Sequence, residues 1–278
     1  MSFELKLFFP QWQGGCTQKL LHGAEYIRKN NFAKINFQDV PVATDEQLPT
    51  EDDIIGLQIL LIQLKSANHI LKETKPRSVF TLGGDCAVEI APVSYLNQLF
   101  QGNLAVIWLD AHGDLNTPAS SPTKHFHGMP LRLLLGDGHP RFLEECFSTL
   151  KPEQVVMAGI RDLDPPEQEF ITTQNIQCFG VSELTDGGAK MVQYLHTKKV
   201  QNIYIHLDLD VLDPDSLPCA LFKTPNGLEM TALLETLENL KTEFNMVGMS
   251  LLEYVSLEKE QLADFEKLVQ WVLGMERP

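Results

Sequence analysis

Short runs rich in Val, Ile, Leu and Phe recur along this chain, apolar at consecutive positions, and longer helical stretches separate them. A strand that is apolar on both sides has to be covered on both sides. That requirement points to a parallel sheet between two layers of helices. Runs at 5–10, 33–40, 78–82, 104–109, 154–160, 176–181, 202–207 and 244–250 are read as strands, and 53–73, 88–100, 188–199, 230–241 and 259–275 as helices. The expected class is α/β, a three-layer α/β/α fold around an eight-stranded, mainly parallel sheet. With 278 residues, 44% of them hydrophobic, the chain can bury a large core. No repeat or low-complexity tract divides it, so one domain spanning 1–278 is expected. Residues 117–123 are too few for a linker and read as a loop following a strand.

A net charge of −15 argues against a nucleic-acid or anionic-membrane surface, although acidity also serves solubility alone. No apolar run reaches the ~18 residues of a membrane span, and residues 1–6 do not begin a secretory signal. The five cysteines, Cys16, Cys86, Cys146, Cys178 and Cys219, are scattered and never form a C-x-x-C pair. They read as reduced thiols, and the expected compartment is the cytoplasm.

Three segments carry chemistry, each where a strand runs out. Trp108-Leu109-Asp110-Ala111-His112-Gly113-Asp114 would, if extended, project Asp110, His112 and Asp114 to one face. Two carboxylates and an imidazole suit a divalent cation, though the segment alone also fits a polar turn with a capping aspartate. His206-Leu207-Asp208-Leu209-Asp210 repeats the pattern, with Asp208 and Asp210 on one face. Carboxylates gathered at one sheet edge repel one another unless a cation sits among them. Asp213-Pro214 is read as a structural turn. The third segment, Leu82-Gly83-Gly84-Asp85-Cys86, offers paired glycines for a tight turn or close backbone approach.

Together these segments resemble the signatures G-G-D-H, D-A-H-x-D and D-x-D-x-x-D-P of the arginase, agmatinase and formiminoglutamase family, the ureohydrolases. The resemblance runs from about residue 23 to residue 256, and the flanking residues are most similar to arginase. Asp114-Leu115-Asn116-Thr117-Pro118 and Phe126-His127-Gly128-Met129-Pro130 carry that similarity. It implies Cys86, Asp110, His112, Asp114, Asp208 and Asp210 as the metal-ligand positions. His127 is implied as a proton shuttle, alongside the second oxygen of Asp210. Asn116, Ser121 and Thr123 would meet a substrate α-carboxylate, Asp164 its α-amino group, and Glu253 the guanidinium. Bland roles compete: His127 as a helix cap, and Asp162 and Asp164 as ion-pair partners of Arg161. His125, His139 and His196 read as surface residues.

The implied activity is hydrolysis of a guanidino or amidino C–N bond, with arginine to ornithine and urea the leading case. Two Mn²⁺ ions would lower the pKa of a bridging water. Homotrimers or homohexamers are usual in the family. Two departures stand out. Cys86 occupies the place of a histidine ligand, which favours Zn²⁺ or Fe²⁺ over Mn²⁺ at the first site or leaves it weak. Leu221 and Phe222 replace a Gly-Thr pair and should reshape the pocket wall. Agmatine, a guanidino acid and formiminoglutamate are therefore alternative substrates, and a weakly metallated regulatory relative is the alternative of another kind.

Overall fold

The computed structural model describes residues 2–44, 47–255 and 262–275. In chain order the elements are β1 (Leu5–Phe9), α1 (Lys19–Asn30), β2 (Gln38–Asp39), β3 (Thr50–Glu51), β4 (Ile54–Ile55), α2 (Leu57–Thr74), β5 (Val79–Gly83), α3 (Ile90–Leu99), β6 (Ala105–Leu109), α4 (Pro130–Leu134), α5 (Pro140–Leu143), β7 (Val155–Ala158), α6 (Pro165–Gln174), β8 (Gln177–Phe179), α7 (Ala189–Thr197), β9 (Asn202–Leu207), α8 (Met230–Glu243), β10 (Asn245–Leu251) and α9 (Leu262–Met275). Eight strands form one sheet in the order β2-β1-β5-β10-β9-β6-β7-β8. Every pairing in it is parallel. β3 and β4 make a separate antiparallel hairpin.

All eight expected strands enter the sheet. The run at 33–40 shrinks to two exposed residues because only Gln38 and Asp39 pair with β1. The helix expected from residue 53 starts at Leu57, since Ile54–Ile55 belongs to the hairpin. Helices α1, α4, α5 and α6 were not expected. Residues 259–261 of the expected last helix lie outside the described residues.

Alternate strand residues feed two separate cores, as the pleat requires. Ala105, Ile107 and Leu109 of β6 join Ile203, Ile205 and Leu207 of β9 on the face covered by α1, α7, α8 and α9. Val106, Trp108 and Tyr204 point to the other face, against α2, α3 and α4. The C-terminal ends of the four central strands, β5, β10, β9 and β6, thus open side by side on one edge, where α/β sheets build their sites. Gly84 makes this edge possible at β5. A Cβ there would lie 1.9 Å from the Gln11 carbonyl oxygen, so its role is close backbone approach.

Candidate metal centre

Each central strand delivers one acidic or thiol side chain just past its end: Cys86 after β5, Asp110 after β6, Asp208 after β9 and Glu253 after β10. The chain does not stay extended there, contrary to the sequence expectation. The His112 N–H donates to Asp110 Oδ1 at 2.6 Å, and Asp114 adopts a positive φ of 51°. Asp210 likewise sits in a 3₁₀ turn whose N–H donates to Asp208 Oδ1 at 2.8 Å. Turns, rather than shared strand faces, bring the carboxylates together.

Potential ligand atoms within 4.8 Å of one another fall into three overlapping groups: Asp110, His112 and Asp210; Cys86, Asp208 and Glu253; and Cys86, Asp110, Asp114 and His206. In the first, His112 Nδ1 lies 2.9 Å from Asp210 Oδ2 and 3.5 Å from Asp110 Oδ1. In the second, Cys86 Sγ donates to Asp208 Oδ2 at 3.2 Å, and the Cys86 N–H donates to Glu253 Oε1 at 3.3 Å. Asp114 Oδ2 and Glu253 Oε2 are buried without a hydrogen-bond partner. A buried carboxylate oxygen with no donor costs free energy that a cation or a cationic substrate recovers.

The electrostatics agree. Burial, then the Coulomb field of Asp210 and Asp110, raises the Asp208 carboxyl well above its ordinary range. Asp114 is raised by burial and then by Asp110. Asp210 is pushed up to about 6 by burial and Asp110. Burial would depress His112, but its bonds to Asp110 and Asp210 push it up to about 12. A cation among these carboxyl groups would relieve the same repulsion. The imidazole and carboxylates of Asp110, His112 and Asp210 fit Mn²⁺. The Cys86 thiol is pushed well above its usual range, first by burial and then by Asp114. It ligates only with a cation that stabilises its thiolate.

A cavity of about 320 Å³ opens above this floor. Asn116, Ser121, Thr123 and Asp164 line it together with Cys86, Asp208 and Asp210. Asn116 Nδ2 donates to Asp164 Oδ2 at 2.8 Å. Ser121 is buried and accepts from the Lys124 N–H, whereas Thr123 is exposed. His127 lines the cavity and turns Nδ1 toward Glu253 Oε1 at 3.1 Å. Burial alone would lower its pKa, and Glu253 raises it above the ordinary value. Phe222, 45% exposed, stacks on His127 at 5.6 Å and meets His112 edge-on at 5.5 Å, so it does form part of the wall.

Several surroundings differ from the sequence reading. His125 is half-buried and lines the cavity, and His139 is half-buried with Nε2 3.1 Å from Asp52 Oδ2. His196 is exposed as expected. Arg161 makes no ion pair with Asp162 or Asp164. Its guanidinium donates to six carbonyls, of Gly159, Asp210, Val211, Leu212, Thr224 and Pro225. It thereby clamps the loop that carries Phe222. Asp213 is a turn residue, accepting from the Asp215 and Gly227 N–H groups. The sequence reading passed over His206 and Glu89, both fully buried. His206 shares a strand face with Asp208, a polar break in an apolar run that was a usable signal.

A family model described as "Arginase family" matches residues 17–261. The chain belongs to the arginase family. It is 39% identical over 227 residues to an arginase of Staphylococcus aureus, covering 79% of this chain and 74% of that one. It is 32% identical over 215 residues to an arginase of Bacillus subtilis, covering 74% and 71%. Among solved structures, the Entamoeba histolytica arginase in complex with L-ornithine shares its fold at a TM-score of 0.87, with 20% identity and 99% of each chain covered. Bacillus caldovelox arginase does so at 0.84, with 24% identity and 100% and 99% covered. This family member is thus a ureohydrolase of a metal-dependent kind. Among the described residues, no helix is long and apolar enough to cross a membrane.

Proposed function

We propose that the chain hydrolyses the guanidino group of arginine to ornithine and urea, in the cytoplasm and as a homotrimer or homohexamer. The observation that carries the substrate reading is the polarity of the cavity. Its lining joins the carboxyl groups of Asp114, Asp208 and Asp210, with Asp114 Oδ2 left without a donor, to the Asn116–Asp164 pair and Ser121, and Glu253, itself with a donorless Oε2, bonds the lining His127. A molecule that carries both a guanidinium and an amino-acid head fits that combination. Names of the relatives point the same way.

Asp110, His112, Asp208 and Asp210 would hold one cation, and Cys86 with Asp110, Asp114 and Asp208 a second. Two divalent ions held there would supply Lewis-acid charge and make water a better nucleophile at neutral pH. Glu253 orients the guanidinium through its unpaired oxygen. His127, its Nδ1 held by Glu253, carries a proton to the leaving amine, a role suited to imidazole, the side chain whose ordinary pKa lies closest to neutrality. Asn116, Ser121 and Thr123 receive the α-carboxylate and Asp164 the α-amino group. The test is urea or ammonia release from arginine, agmatine, guanidino acids and formiminoglutamate by protein loaded with Mn²⁺, Zn²⁺ or Fe²⁺. Arginine should be turned over with the highest kcat/KM; no release from any of them sets the reading aside.

A further inference from the structure

His206 has no part in the reading so far. It is fully buried, and its ring stacks on Trp108 with centroids 3.6 Å apart and planes 9° from parallel. The stack fixes the ring, and both nitrogens then meet carboxylates. Nδ1 lies 3.1 Å from Glu89 Oε1, and Nε2 lies 3.3 Å from Asp110 Oδ2. Metal-bound histidines characteristically donate their second ring N–H to a carboxylate, which sets the tautomer and raises the basicity of the ligating nitrogen. Glu89 stands in that place. With its proton on Nδ1, the imidazole turns an Nε2 lone pair toward Cys86 Sγ, Asp110 and Asp114, whose donor atoms lie with it inside one 4.8 Å envelope. Asp110 Oδ2 already accepts from Trp108 Nε1 at 3.2 Å, and Asp114 Oδ2 has no partner at all. A ring nitrogen, carboxyl oxygens and a sulfur gathered within that distance are stabilised by a cation among them.

We propose that His206 is a metal ligand, so that the first site is Cys86, His206, Asp110 and Asp114, a mixed sulfur, nitrogen and oxygen set that selects a borderline divalent ion such as Zn²⁺ over Mn²⁺. The imidazole that the family resemblance places at residue 86 is supplied instead from β9, with Glu89 as its positioning residue. One thiolate, one imidazole and two carboxylates make a four-coordinate set of the kind zinc accepts, and thiolate disfavours manganese. The second site, built on His112 and Asp210, keeps its preference for a harder ion. This inference rests on the reading of the centre as a metal site and revises its ligands.

The experiment strips the full-length protein with a chelator and reloads it with Zn²⁺, Co²⁺ or Mn²⁺. Bound metal is counted by elemental analysis, and ligation is read by cobalt absorption and zinc X-ray absorption. The parent protein should take two Zn²⁺ or Co²⁺ per chain but retain less Mn²⁺. It should show a sulfur-to-cobalt charge-transfer band, and a sulfur shell at about 2.3 Å around zinc. His206→Asn and Cys86→Ser should each lose one equivalent and the band, while His112→Asn loses the other equivalent and keeps it. Glu89→Gln should weaken first-site affinity about 10–100-fold. If His206→Asn does not fold, the zinc spectrum of His112→Asn decides: its remaining ion should show one imidazole beside the sulfur, and a sulfur shell without imidazole overturns the proposal. Two bound ions with no sulfur neighbour, or a folded His206→Asn that keeps both ions and the band, overturns the proposal. Urea release measured on the same samples separates the two readings. Hydrolysis without sulfur ligation sinks the ligand assignment only, and sulfur ligation without hydrolysis sinks the substrate reading only.

Discussion

Asp208 sits between the two halves of the centre. One oxygen is tied to the Asp210 N–H and the other to the Cys86 thiol. Asp208→Ala should therefore remove metal-dependent hydrolysis, and activity within about tenfold of the parent, ~1.4 kcal/mol of barrier, would take Asp208 out of the centre. Phe222 poses a different problem, because its ring covers His127 and His112 while remaining largely exposed. Phe222→Ala should change unfolding free energy by less than about 1 kcal/mol yet shift kcat/KM ratios among guanidino substrates about tenfold or more. Steady-state kinetics beside denaturant unfolding checks both halves, and an unchanged ratio would make the ring a bystander. At this scale the sequence was legible where motif residues are neighbours in the chain, as in Asp110-Ala111-His112. It was silent on Glu89 and His206, 117 positions apart, because only the sheet brings them together.

Among the elements, the loop of residues 212–225 depends on Arg161, which reaches it from beyond β7 through carbonyl acceptors alone. Arg161→Ala should cost about 2–4 kcal/mol in unfolding free energy, since several acceptors lose a charged donor at once. Arg161→Lys should recover little, because an ammonium cannot fork across six acceptors. Chemical denaturation measures the loss, and a change below about 0.5 kcal/mol would show the loop holding itself. Legibility varied among elements for physical reasons. β9 was read at its true bounds from an apolar run, in spite of the polar break at His206. Helix α1 lacks a capping side chain and any acidic residue in its first turn, so nothing announced it. Helix α6 did carry its start signal, Asp164 followed by two prolines and Glu167, whose carboxylate accepts from the Asp164 N–H at 2.9 Å. Asp164 was read only as a substrate contact or an ion-pair partner, and the helix went unnoticed.

Across the whole molecule, the buried carboxyls tie stability to pH. Burial and then Glu253 push Asp85 up to about 7, and burial and Asp110 push Asp210 up to about 6. The unfolded chain releases these protons near pH 3.9. The metal-free folded state therefore binds the extra protons, and its stability falls as pH rises from about 4 to about 7. Asp110 is shifted the opposite way, but its change lies below that window. His112, held up at about 12, extends the fall above pH 6.5. Metal-stripped protein should lose Tm across this range, and metal-loaded protein should not. Thermal unfolding over a pH series tests this; a metal-free Tm that is flat or rising would contradict it.

The four side chains at the centre of that charge come from strands neighbouring in space but remote along the chain: Cys86 meets Asp208 across 122 positions and Glu253 across 167. An ion held there is a clasp between distant parts of one polymer, and its grip draws on the integrity of the entire sheet. Linkage then works in both directions. Any substitution that loosens the sheet, however far from the carboxylates, will register first as a weaker hold on metal, and a scarce metal supply will register as a less stable protein.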